Sequence, residues 1–246
     1  MKFAIDIGHN APPRDTGAVG LVSEDRLTKL VGEKLTEILK ASGHQVILTA
    51  PRVASSVNES LGMRVKIANQ SSANLFVSIH FNAANFKAHG AEVYALSSTG
   101  GAIARSVLTE ICKLGYYNRG VKSAPFYVLR HTTMPAILVE CCFCDSKRDM
   151  DRFDHNDMAR AIATGLIGEL PDRGDSQLRT LRVTVDGTWL KPSTEQSSSI
   201  PIEQKEWIVR GKYQLSSAQP SEEHHHLIKT ADGKQWFIYA PHCTIS

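Results

Sequence analysis

The sequence predicts an α/β fold, a mainly parallel sheet flanked by helices on both faces, followed by a small C-terminal all-β domain. Three observations carry this prediction. Continuously apolar runs of strand length, such as 75–79 and 136–140, recur up to about residue 170. Segments with apolar residues at helical spacing separate them. Beyond residue 178 that spacing ceases, and short apolar runs broken by Gly, Pro and Ser take over.

The elements follow in order. Phe3, Ile5 and Ile7 lie in an apolar run closed by Gly8, which reads as a buried strand ending in a loop, and residues 9–24 are rich in Gly and Pro. From Asp25, the positions Leu27, Leu30, Val31, Leu35, Ile38 and Leu39 trace one face of a helix to about residue 41, with Gly43 as its stop. Residues 45–49 read as a strand, 58–70 as a helix with Leu61, Val65 and Ala68 on one face, and 75–79 as a strand. Further strands are expected near 91–96, 126–130 and 136–140, and helices near 100–114 and 155–170. The turn-rich stretch 171–177 marks a linker, dividing the chain into a domain at 1–172 and a β domain at 178–246 that holds all three tryptophans.

Composition narrows the function. With 246 residues, 42% hydrophobic and 22% charged, the chain is a folded globular protein, and collagenous, disordered and repeat-array readings are excluded. The net charge of +3 arises from 28 basic and 25 acidic residues in mixed order, without the basic stripe that phosphate contacts require, so no nucleic-acid partner is expected. Five cysteines, an odd number, suit a reducing compartment better than a disulfide framework. The N-terminus turns polar too soon for a signal-peptide core, and no apolar run reaches the roughly 18 residues of a membrane span, so neither export signal nor membrane insertion is expected.

The residues with most chemical promise are His9, Glu24, His80 and Glu140. Both histidines follow buried strands, and the C-terminal strand edge is where ligand-binding loops gather in open parallel sheets. Two imidazoles and a carboxylate at a helix start make a familiar catalytic zinc set. Glu140 ends the apolar strand at 136–140, where an unpaired buried charge would cost several kcal/mol. A strand-end histidine is nevertheless more often structural than a ligand, and spacing alone leaves the two readings balanced.

Further motifs break that balance. Ile-Asp-Ile-Gly-His-Asn with Asp15-Thr-Gly-Ala, then Glu24, then Leu-Gly-Met-Arg64, Asn-Leu-Phe-Val-Ser-Ile-His80-Phe-Asn82, Gly-Ala-Glu-Val-Tyr and Met-Pro-Ala-Ile-Leu-Val-Glu140 occur in sequence over about residues 1–170. This order resembles the zinc-dependent N-acetylmuramoyl-L-alanine amidases of the Amidase_3 kind. The resemblance implies zinc (Zn2+) held by His9, Glu24 and His80, with Glu140 as the catalytic carboxylate. It also implies a peptidoglycan substrate, cut between the lactyl group of N-acetylmuramic acid and the L-alanine of the stem peptide. Asn82, Arg64, Arg130 and His131 are candidates for substrate contact. Residues 178–246 resemble the SH3-like modules attached to cell-wall lytic enzymes, which would make them either a wall-binding module or a structural cap.

Two stretches depart from the family pattern: Asn10-Ala-Pro-Pro-Arg14 where glycines usually follow the first histidine, and Cys141-Cys-Phe-Cys144 after the catalytic glutamate. Without a second Cys-x-x-Cys pair, these thiols are expected to be buried and reduced. A Cys141 or Cys142 nucleophile with His80 as base ranks lower, since no oxyanion donor is evident. Two alternatives to the amidase remain: a zinc peptidase cutting within the stem peptide, and a non-catalytic wall-binding protein on the same fold. A monomer is expected, made in the cytoplasm and acting on the wall through endolysin-like release or an unusual export route.

Overall fold

The computed structural model describes residues 1–168, 179–220, 224–230 and 234–245. The chain divides into two compact units, Met1–Leu170 and Pro171–Ser246. The expected linker at 171–177, and Leu170 of the expected last helix, lie outside the described residues.

The first unit runs β1 (Lys2–Ile7), α1 (Glu24–Ala41), β2 (Gln45–Leu48), α2 (Val57–Gln70), β3 (Leu75–Asn82), β4 (Ala91–Ala95), α3 (Ser98–Lys113), β5 (Asn118–Lys122), α4 (Tyr127–His131), β6 (Ala136–Phe143), α5 (Lys147–Met150) and α6 (His155–Ile167). Its sheet has the order β2-β1-β3-β6-β4-β5. All neighbours are parallel except β4 and β6.

The period of two along each strand sends side chains to two different layers. Val77 and Ile79 of β3, with Ile5 and Val139, join the larger core beneath α1, α3 and α6, where Leu27, Val31, Leu35, Val107, Ile111, Met158 and Ile162 are buried. Ala4, Phe76 and Leu138 point the other way and pack with Val65, Ala68, Val128 and Leu129 of α2 and α4. On this second face the strands turn polar toward their C-terminal ends: Ala4 gives way to Asp6, Phe76 to Ser78 and His80, and Leu138 to Glu140.

Helix starts follow ordinary capping chemistry. Ser56, Ser97 and Asp154 accept backbone N–H groups at the heads of α2, α3 and α6. The expected strand at 126–130 is instead the short helix α4. A five-residue apolar run cannot be assigned by periodicity alone, and here the buried residues are the adjacent Val128 and Leu129 rather than alternate positions. Thr132 Oγ1 donates to the Val128 carbonyl and closes the turn. β3 and β6 extend to Asn82 and Phe143, so His80 lies inside its strand rather than past its end, and Glu140 lies inside β6 rather than at its end.

The second unit contains β7 (Arg179–Leu190), β8 (Glu206–Pro220), β9 (His225–Thr230), β10 (Gln235–Tyr239) and β11 (Cys243–Ile245). They form an antiparallel sheet in the order β10-β9-β8-β7-β11. Leu181, Val183, Leu190, Ile208, Leu215, Ile228 and Ile238 make its core. No helix among the described residues is long and apolar enough to cross a membrane.

Candidate active site

The site grows from a buried charge in β1. Asp6 interrupts an apolar strand at 1% exposure, a placement tolerable only with strong partners. It accepts hydrogen bonds from Arg64 Nη1 at 2.6 Å, Ser78 Oγ at 2.7 Å and Thr49 Oγ1 at 3.0 Å. Arg64, projecting from α2, is equally buried. Its remaining donors go to Ser60 Oγ, the carbonyls of Ile7 and His9, and Asp15 Oδ2. A guanidinium has five N–H groups, and all are engaged by the protein, so Arg64 has none left for substrate. It ties the loop after β1 to α2.

That loop presents His9. The backbone turns sharply, with φ of 54° at His9 and 58° at Asn10, and the Asn10 side chain secures it through the Gly8 carbonyl and Thr28 Oγ1, both at 2.8 Å. His9 Nδ1 donates to Asp15 Oδ1 at 2.9 Å. Burial works to raise the Asp15 carboxyl, but the hydrogen bonds from His9 and Ser60 and the Arg64 charge hold it down at about 2. Asp15 is therefore an anion that fixes the imidazole and leaves Nε2 facing inward. Gly8 is required by close approach, because a Cβ there would stand 2.5 Å from His80 Nε2.

Glu24, the first residue of α1, is 4% exposed. The Ala18 and Phe81 N–H groups donate to its two oxygens at 2.9 and 3.1 Å. His9 Nε2 lies 3.5 Å from Oε2, and His80 Nδ1 lies 3.2 Å from Oε1. The two imidazoles meet edge-on with ring centres 4.9 Å apart. One donor atom from each of His9, Glu24 and His80 lies within 4.8 Å of the other two. Two imidazole nitrogens and a carboxylate, oriented by Asp15 and by backbone N–H groups, fit a catalytic zinc site in both donor type and convergence. Burial opposes charge on His80, but the hydrogen bond to Glu24 and the charges of Glu140 and Glu24 outweigh it and raise its pKa.

Glu140 stands beside this triad, register partner of His80 on one side and of Glu92 on the other. Its Oε2 is buried and finds no hydrogen-bond partner among the described residues. Burial pushes its carboxyl up to about 7; the His80 charge opposes this and the Glu24 and Glu92 charges add to it. Burial works to raise the Glu92 carboxyl, but Lys122, Arg119 (2.7 Å) and Tyr94 (2.7 Å) all donate to it and hold it below the ordinary carboxylate range.

A cavity of about 410 Å³ joins His9, Glu24, His80, Asn82 and Glu140, and Val57, Leu61, Phe126 and Tyr127 give it an apolar wall. Asn82 donates to Glu92 at 3.2 Å from the cavity edge. Arg130 and His131 are exposed on α4 and do not line this cavity; the His131 ring packs on Tyr127 instead. Cys141, Cys142 and Cys144 are free and fully buried. Burial raises all three thiols, Cys144 to about 11, which removes the thiolate that nucleophilic attack needs. Sequence reasoning assigned no role to Asp6, Asp15 or Glu92. An aspartate inside the apolar run Phe-Ala-Ile-Asp-Ile was the available signal for the first; nothing local marks the pairing of Glu92 with Arg119 and Lys122.

The profile of the Amidase_3 family, N-acetylmuramoyl-L-alanine amidase, matches residues 3–169. The chain belongs to this family. Its Amidase_3 unit accounts for every strand and helix that builds the cavity. An uncharacterised protein of Clostridium perfringens (strain 13 / Type A) is 35% identical over 177 residues, 69% of this chain and 50% of that protein. The chain thus spans about half the length of that relative. The endolysin of Bacillus phage SPP1 is 35% identical over 176 residues, covering 66% of this chain and 63% of the endolysin. Among solved structures, the catalytic domain of CwlV, an N-acetylmuramoyl-L-alanine amidase from Bacillus (Paenibacillus) polymyxa var. colistinus, aligns with a TM-score of 0.59 and 33% identity over 67% of this chain and 94% of that one.

Proposed function

We propose that the protein hydrolyses the amide joining N-acetylmuramic acid to the L-alanine of the stem peptide in bacterial peptidoglycan. The observation that carries this reading is the convergence of His9, Glu24 and His80 within 4.8 Å beside the buried carboxyl of Glu140. Membership of the Amidase_3 family supports it, as does the likeness to an endolysin and to a named amidase domain. His9, Glu24 and His80 would hold zinc.

Zinc bound there supplies Lewis acidity to the scissile carbonyl and acidifies the attacking water. The chain's own residues do the rest. Asp15 keeps the His9 ring in one tautomer and orientation, and Arg64 keeps Asp15 in place. Glu140 accepts a proton from water as attack proceeds and delivers it to the departing L-alanine nitrogen, a transfer suited to a carboxyl near neutrality. The apolar wall formed by Val57, Leu61, Phe126 and Tyr127 excludes bulk water from one side of the reacting amide. The second unit is read as an SH3-like, wall-binding module that holds the enzyme on its polymeric substrate.

Mass spectrometry of digested peptidoglycan tests this. The expected products are intact stem peptides with a free L-alanine amine and glycan with free lactyl carboxylates. Peptides cleaved inside the stem would identify a zinc peptidase instead, and an unchanged digest from zinc-loaded protein would favour a non-catalytic binder.

A further inference from the structure

The second unit holds a cavity of about 590 Å³ that the proposed chemistry does not use. Its walls are aromatic. Trp189 and Trp207 face each other across the β7–β8 ladder and meet edge-on, ring centres 4.9 Å apart. Tyr239 packs against His242 at 4.9 Å on the same cavity. The Trp207 indole lies across Gly187, where a Cβ would stand 2.4 Å from the ring, so the glycine gives the ring its seat on the strand. Trp207 still leaves 51% of its surface exposed and Tyr239 37%. Large rings seated so closely yet left in water are more apolar surface than folding requires, and mark a binding face.

Beside the rings, Thr188, Thr194, Gln196, Ser197 and Ser198 line the cavity with hydroxyls and an amide, and His224, His225 and His242 line it with imidazoles. No acidic side chain is among the described lining residues. Lys191 directs its ammonium to the carbonyl oxygens of Thr194 and Glu195. A pyranose ring has one face of C–H bonds that lies against an aromatic plane, and an edge of hydroxyl and acetamido groups that seek such partners. The ammonium of a wall peptide would find no acidic side chain among these described lining residues.

We propose that this cavity binds the sugar rings of an N-acetylated glycan, with Trp207 as the stacking platform. The proposal rests on the second unit being a wall-binding module and specifies the part of the wall it grips. The volume falls within the range of about 300–1,000 Å³ typical of small-ligand sites, room for a short oligosaccharide.

All three tryptophans lie in the second unit, so tryptophan emission of the full chain reports on this unit alone. Titration with the tetramer of N-acetylglucosamine should give a saturable change in emission. Trp207→Ala should weaken the midpoint by about tenfold or more. Ser198→Arg, at an exposed position on the rim, should block the cavity without disturbing the fold, and both variants should cleave soluble muropeptides like the parent. A saturable response to a stem tetrapeptide with none to the sugar would overturn the proposal, and so would sugar binding that survives both substitutions. Sacculi that still retain the protein when the sugar gives no response would overturn the site while leaving the wall-binding reading intact. Loss of both signals would remove the two together.

Discussion

His80 and Glu140 are direct register partners on the adjacent parallel strands β3 and β6, and Glu92 on β4 completes the row. Neighbouring strands lie about 4.8 Å apart, and paired residues of a parallel ladder project from the same face. The Glu140 carboxyl therefore rises one strand away from a candidate zinc ligand, near enough to serve the reacting groups yet outside the set formed by His9, Glu24 and His80.

Glu140→Gln keeps the shape of the side chain but cannot accept a proton. Zinc content, read by elemental analysis, should stay near one per chain, while turnover of muropeptides falls by about 10²–10⁴-fold. Glu140→Ala should behave alike. Loss of zinc from either variant would make the carboxylate a ligand instead.

The raised Glu140 carboxyl also links folding to pH. Burial lifts it from the ordinary 4.5 to about 7 in the native protein. Between these values the folded state holds the proton more tightly than the unfolded chain. Its contribution to stability is therefore full below pH 4.5 and lost as pH rises through 7, amounting to about 3 kcal/mol. In chelator-treated protein, Glu140→Gln should raise the unfolding midpoint at pH 8 and change it much less at pH 5. An increment independent of pH would contradict the assignment.

Arg64 is buried between Asp6 and Asp15. Arg64→Ala would leave two carboxylates without their common cation, at a cost of about 3–5 kcal/mol. Thermal unfolding should drop accordingly, and zinc affinity should fall with it, because Asp15 would no longer hold His9. Preserved stability would show that the carboxylates find water or other partners.

Gly8→Ala tests the close approach at the metal site. The added methyl would meet His80 Nε2 and the Ile79 carbonyl at 2.5 Å. The ring must move, so zinc affinity should weaken at least tenfold while the fold, read by circular dichroism, persists. Unchanged affinity would place the working His80 ring elsewhere.

The sheet was legible because its strands are buried on both faces, and apolar runs such as 75–79 report that directly. β5, with the sequence Asn-Arg-Gly-Val-Lys, was not, since an edge strand of half-exposed residues carries no apolar run. His9, Glu24 and His80 stood out through their places at element ends and through motif order. The burial of Arg64 was invisible, because an arginine on a helix reads as a solvated charge until Asp6 and Asp15 are known to face it. The Glu92 row was hidden for a related reason: the antiparallel insertion of β4 beside β6 is a choice of topology, and no local pattern encodes it.

The sealed thiols of β6 bear on how the chain meets oxidants. Cys141, Cys142 and Cys144 lie at 0% exposure, and of the five cysteines only Cys112 is partly open. Oxidation and disulfide exchange require an accessible thiolate. Peroxide or a disulfide reagent should therefore modify Cys112 first and leave the strand that carries Glu140 untouched. Attack on the three buried thiols then waits on opening of the native sheet, so the rate of their modification measures how often β6 comes apart.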